Sequence, residues 1–139
     1  MRNGEVAQSD EIQDEVKRGE TYWGEWDLYR DGQIDPNSCE IQIGAALDLR
    51  AYEGVTVEGR VLGTDAPMLG LATFLTKGDT QTPARVYVEF ALEDIEAVFA
   101  VGAEQAFSWH VLATRPMERL SLLCGTVDVQ DSATGASLG

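Results

Sequence analysis

Phe107-Ser-Trp-His-Val-Leu-Ala-Thr114, a break containing Pro116, and then Arg119-Leu-Ser-Leu-Leu-Cys-Gly-Thr-Val-Asp-Val129 form the stretch that decides the fold class. In an extended chain Phe107, Trp109, Val111 and Ala113 fall on one side, and Ser108, His110 and Thr114 on the other. That alternation is the period of a half-buried strand. The two segments and the break between them predict an antiparallel terminal hairpin. In the second segment the inward set Leu120, Leu122 and Cys124 changes phase to Val127 and Val129, which predicts a β-bulge around Leu123 to Gly125.

The same period recurs upstream. Tyr22, Trp26 and Leu28 alternate with Glu25 and Asp27, and Arg30-Asp-Gly-Gln33 then reads as the turn that ends this strand. Cys39-Glu-Ile-Gln-Ile43 is a short second strand, and Gly44 to Leu49 fits no element. Val55, Val57 and Val61 point inward against Thr56, Glu58 and Arg60, with Gly59 facing in where a bulky neighbour such as a Trp approaches. Leu69 to Leu75 and Arg85 to Leu92 continue the pattern. In the latter Val86, Val88 and Phe90 oppose Arg85, Tyr87 and Glu89, and the turn-rich loop from Thr76 to Pro83 separates the two segments. One helix of about two turns is expected from Leu92, with Glu93 and Asp94 near its positive end, Leu92, Ile95 and Phe99 on one face, and Gly102 as its cap. Residues 1–18 are polar. Val6, Ile12 and Val16 are too sparse to build a core, so this segment is expected to be an arm or short helix that orders only against a neighbour. About seven short strands with turns between them predict an all-β, immunoglobulin-like antiparallel sandwich over residues 19–131, followed by a C-terminal tail at 132–139.

Composition narrows the function. A chain of 139 residues is one domain, long enough to bury a core without staples. Ten basic against 24 acidic side chains leave a formal charge of −14, which repels a phosphate backbone, so no direct nucleic-acid binding is expected. Only Lys17 and Lys77 are lysines. The acidity fits either a salt-adapted or GC-rich source or a partner of opposite sign. The sequence has neither an apolar run of bilayer length nor a secretory signal at its start, so a soluble protein made inside a cell and without membrane contact is expected. Cys39 and Cys124 have no metal-ligand spacing and are expected to be buried free thiols, paired only if their strands lie side by side.

No catalytic constellation stands out. His110 is the only histidine, and as a general base it needs an oriented partner that the sequence does not nominate. Glu25 with Asp27 and Glu93 with Glu96 are close carboxylate pairs, but acid–base chemistry also needs a cleft and a raised pKa. Asp31 to Asn37 offers oxygen ligands without the spacing of a calcium loop, so a turn explains it. No catalytic, cofactor-binding or metal residue is assigned and no cofactor is expected. Large aromatics on the outer face of the first long strand, Trp23 and Tyr29, are interface anchors or are covered by the N-terminal arm. Ile12, Val16, Trp23, Tyr29 and His110 are the candidate partner-contact residues.

The order of signals is Gly19-Glu-Thr, Asp31-Gly32, Asp48-Leu49, Gly54-Val-Thr-Val-Glu-Gly-Arg-Val61, Leu92-Glu-Asp-Ile-Glu-Ala-Val-Phe99, Phe107-Ser-Trp-His-Val111 and Leu122-Leu-Cys-Gly-Thr-Val-Asp-Val129. This series resembles the β-sandwich domains of tailed-phage virion proteins. The resemblance is notably to the N-terminal immunoglobulin-like domain of baseplate upper proteins and the related domain of long-tail-fibre cofactor proteins. The match spans about residues 19–131. Arg50-Ala-Tyr-Glu53 departs from it where the turn is usually tighter, and His110 stands where an acidic residue usually follows the Trp.

The resemblance implies a non-enzymatic structural protein of the virion, assembled in the host cytoplasm. Such a protein acts as an adaptor or attachment module at the tail, neck or fibre base. Its implied partners are other virion proteins, in a multi-copy assembly. Two alternatives stand beside this reading. One is a capsid decoration protein. The other, of a different class, is a carbohydrate-binding module that uses exposed aromatics as stacking platforms.

Overall fold

A computed structural model describes residues 2–7, 11–34, 36–37, 41–64, 66–101 and 105–130, with side chains described for all of these except 2–3, 31–34, 41–42 and 99–101. Within them lie ten strands and one helix: β1 (Arg2–Ala7), β2 (Glu11–Lys17), β3 (Tyr22–Ile34), β4 (Ile41–Ala46), β5 (Gly54–Val61), β6 (Pro67–Leu69), β7 (Leu71–Thr76), β8 (Ala84–Phe90), α1 (Leu92–Val101), β9 (Ala106–Arg115) and β10 (Glu118–Gln130). The strands form two five-stranded sheets. The first runs β1-β3-β8-β7, with β4 also on β3, and the second runs β2-β10-β9-β5-β6. The expected all-β sandwich is what the chain adopts, with more strands than the seven anticipated.

The terminal hairpin is present as expected. β9 and β10 pair antiparallel from Arg115↔Glu118 to Ala106↔Asp128. The register slips between Ser121 and Leu123, slightly before the expected position. This bulge lets Leu122 and Leu123 both turn into the core, after which Gly125, Val127 and Val129 stay inward. Cys124 is thereby placed on the outer face, half-buried, rather than in the core. Cys39, and with it the question of a disulfide, lies outside the described residues.

The core is aromatic where the two sheets face one another. Trp26 of β3 lies 5.3 Å from Trp109 of β9, ring centre to ring centre, and Phe90 lies 5.0 Å from Phe107. Tyr22 meets the Phe107 ring edge-on at 6.1 Å. Side chains of this size bury 150–250 Å² each and supply much of the driving force for closure. Gly125 makes room for one of them: a Cβ there would stand 2.6 Å from the Trp109 ring. Gly59 is paired directly with Trp109 of β9, and a Cβ there would stand 2.8 Å from Met68 and 3.0 Å from the Phe90 ring.

Within the segment expected to be an arm, the described residues 2–7 and 11–17 are strands. β1 joins the first sheet parallel to β3, from Arg2↔Gly24 to Ala7↔Tyr29, and β2 joins the second sheet parallel to β10, from Glu11↔Cys124 to Lys17↔Gln130. Ile12 and Val16 are only 4% and 7% exposed, packed in the common core with Val6. Between them on the same face sits Asp14, whose carboxylate accepts a hydrogen bond from the Tyr22 hydroxyl at 3.1 Å. A satisfied inward carboxylate is compatible with a half-buried strand.

The other lateral side of the sandwich is crossed in the same manner. β6 pairs with β5 in the second sheet, the chain turns at Gly70, and β7 pairs with β8 in the first. A side chain at Gly70 would stand 2.6 Å from the Phe90 ring and 2.9 Å from Val57, so only glycine passes this corner without displacing the core. Each side of the sandwich is therefore bound by chain that leaves one sheet and enters the other.

Three further differences have local causes. β3 continues through Arg30-Asp31-Gly32 to Ile34, because its second half pairs with β4 in an irregular ladder that absorbs the turn-like residues. Helix α1 runs close to three turns and links β8 to β9, burying Ile95 and Val98 while Leu92 is exposed. The Phe99 side chain and Gly102 lie outside the described residues, as do 131–139.

Candidate functional site

Strand alternation distributes the candidate contact residues over both sheet faces and the interior. Ile12 and Val16, expected to await a partner, are occupied inside the core. Trp23 and Tyr29 stand on the outer face of the first sheet, since β3 turns Tyr22, Trp26 and Leu28 inward. His110 stands on the outer face of the second sheet. These residues therefore do not converge on one site.

The first-sheet face is an aromatic and acidic surface. Trp23 leans against Tyr87 of β8, ring centres 6.1 Å apart and planes inclined by 32°. Beside them Arg85 donates to Glu25 at 3.0 Å and to Asp27 at 2.9 Å, both partners flanking Trp26 on β3. Tyr29 donates to Glu5 of β1 at 2.9 Å, and Tyr87 donates to Glu89 on its own strand. Two carboxylates thus pair with the Arg85 guanidinium, and two more hold the phenols of Tyr29 and Tyr87. The arrangement rigidifies its own side chains and leaves half-buried ring surface flanked by negative charge, which suits a partner presenting apolar and basic groups.

The same hydrogen bonds predict an alkaline limit. The Glu89 carboxylate, then burial, pushes the Tyr87 phenol up to about 12. Glu5 and Glu118 raise Tyr29 and Tyr52 for the same first reason. A phenol whose folded pKa lies above its unfolded value of 10 adds stability that is complete below pH 10 and is lost as pH rises toward 12. Phenolate absorbance should therefore rise later in the folded protein than in denaturant, and the melting temperature should fall steeply over that window. Superimposed titrations in the two states would overturn this reading.

The second-sheet face carries a shallow trough of about 510 Å³ lined by Glu11, Glu58, Arg60, Ser108, His110, Cys124 and Thr126. Strand pairing sets His110 directly beside Glu58 on one side and Cys124 on the other. The His110 Nε2 lies 2.6 Å from the Ser121 hydroxyl. Glu58, the carboxylate next in register, is engaged by Arg119 at 2.7 Å. The Cys124 thiol is pushed up, first by burial and then by the negative charge of Glu11, the opposite of the shift that makes a thiolate nucleophile. Among the described residues, no group of three or more His, Cys, Asp or Glu could hold a metal ion.

Two features escaped sequence reading. Tyr87 was placed outward by its strand, but its contact with Trp23 depends on the pairing of β3 with β8, which alternation alone does not specify. Met117 forms the tip of the β9–β10 turn after Pro116, fully exposed and in the left-handed region at φ 64°. An apolar side chain at such a position is uncommon, and the Pro-Met dipeptide between two long strands was its only trace. The tip is braced by Arg115, which bonds Glu118 at 2.6 Å and lies 4.8 Å over the Tyr52 ring.

Among the described residues no helix is long and apolar enough to cross a membrane. The sequence matches no known protein-family model, and no curated protein aligns with it significantly.

Proposed function

We propose that this chain is a non-catalytic structural module of a tailed-phage particle, an adaptor at the tail, neck or fibre base that seats a neighbouring virion protein on the outer face of its first sheet. The observation that carries the reading is the Trp23–Tyr87 pair set among Glu5, Glu25, Asp27 and Glu89. It is a rigid aromatic anchor on a sheet bound at both sides, and it matches the chemistry of protein interfaces better than the open trough around His110 matches a reaction site. The ordered series of motifs from Gly19 to Val129 supports the virion assignment.

The test replaces Trp23 and Tyr29 together by alanine. Copies of the chain recovered in purified particles should fall at least about tenfold, since each anchor removed from an interface centre costs on the order of 2 kcal/mol. The isolated domain should keep its near-ultraviolet circular dichroism. Unchanged incorporation would refute the seat. Saturable quenching of tryptophan fluorescence by one class of glycan, with no particle association, would favour the carbohydrate-binding reading instead.

A further inference from the structure

The thioethers of this chain are Met1, Met68 and Met117, and the first lies outside the described residues. Met68 of β6 is 3% exposed and packs in the common core. Met117 is the reverse case. It is fully exposed at the tip of the β9–β10 turn, and Pro116 followed by a positive φ is the pattern of a type II turn, whose third position ordinarily holds Gly or Asn. A long side chain there is strained and gains no burial in return. The turn is braced by other groups: Arg115 bonds Glu118 and lies over the Tyr52 ring, and the Tyr52 hydroxyl donates to Glu118. The Met117 sulfur is therefore held out in solvent on a fixed mount, and none of the bonds that fix the mount runs through it.

We propose that Met117 is a site of reversible oxidation, attacked by peroxide ahead of Met68 and modified without loosening the fold. The sulfur lone pair attacks one oxygen of hydrogen peroxide, the O–O bond breaks and water leaves. Sulfur thereby loses two electrons, peroxide gains them, and the transferred oxygen remains as the sulfoxide. In the reverse step a sulfoxide reductase takes two electrons from a pair of thiols, which leave as a disulfide while the oxygen departs as water. No deprotonation precedes attack by a thioether. Cys124 differs, because a thiol attacks as its thiolate, and burial and then Glu11 hold this one in the protonated form. The product replaces an apolar tip by a polar acceptor at the end of the hairpin. The site is separate from the Trp23 face: Tyr22, next to Trp23, packs on Phe107 near the start of β9, whereas Met117 follows the end of that strand.

The full chain, treated with hydrogen peroxide at about pH 5.5 where thiols are almost wholly protonated, provides the test, with sulfoxide at each methionine followed by peptide mass spectrometry. Met117 should oxidise at least about tenfold faster than Met68, and the two rates should converge in denaturant. Protein oxidised at Met117 alone should melt within about 2 °C of the untreated chain, as a surface change away from packing does. The two sulfoxide reductases, one for each epimer, should restore the original mass with dithiothreitol as the thiol. Met117→Leu should leave the slow rate at Met68 unchanged. Equal rates at 68 and 117 in the folded chain would overturn the proposal. So would a fall in melting temperature of more than about 5 °C on oxidation of Met117 alone, or a sulfoxide that both reductases leave in place.

Discussion

Deleting residues 2–18 is expected to abolish the folded state. The segment supplies Val6, Ile12 and Val16 to the core, and burying such side chains contributes roughly 1.5–3 kcal/mol each. Together they rival the whole margin of a small domain, about 5–15 kcal/mol. The deletion also bares one side of both sheets, since β1 lies along β3 and β2 along β10. Tyr22 would lose the Asp14 carboxylate it donates to, and Glu96 of α1 the 3.1 Å bond from Arg18. The shortened chain should lack near-ultraviolet dichroism and should melt without a cooperative transition. A truncated protein that melts within a few degrees of the full chain would show that residues 2–18 are dispensable.

The second large effect is expected at the Trp109–Gly125 contact. Trp109→Ala removes a ring that touches Trp26 and Tyr22 across the sandwich, and a loss of about 3–5 kcal/mol is expected. Gly125→Ala fails for the opposite reason. Its Cβ would stand 2.6 Å from the Trp109 ring and 2.9 Å from the Ile12 carbonyl, so the ring and β2 must both shift, at a cost of roughly 1–3 kcal/mol. The two costs should not add: in the Trp109→Ala background the added methyl meets open space on the ring side, leaving a coupling of about 1 kcal/mol or more. Chemical denaturation of the two single variants and the double variant gives that coupling directly. Strict additivity would mean that ring and glycine do not constrain each other.

The parts of the fold that could be read from the chain are those in which every second residue is apolar. β5, β8 and β9 show this, and the hairpin was placed from the same pattern, whereas the helix after β8 was placed from Leu92, Ile95 and Phe99 at helical spacing behind Glu93 and Asp94. The N-terminal strands were hidden because the inward positions of β2 read Ile12, Asp14, Val16, so the apolar residues recur at four rather than two. The missing position is filled by a carboxylate whose partner, the Tyr22 hydroxyl, is set by the fold. β3 was cut short for a related reason. Asp31-Gly32 carries a turn preference, and only the later arrival of β4 recruits it into a ladder. Of the outer surfaces, Trp23, Tyr29 and His110 were correctly placed off the core. Which of them would share a face depended on strand order, which no local pattern encodes.

The parallel pairing of β2 with β10 sets residue 11 beside residue 124, so β2 finds its seat only after a strand more than a hundred residues later in the chain has been synthesised. During translation the nascent chain must therefore carry an unclosed second sheet, and its dense negative charge would help to keep it from aggregating in that interval. A chain cut short before β10 would leave β2 without a berth, and its product should be cleared by proteases rather than accumulate as a shorter domain.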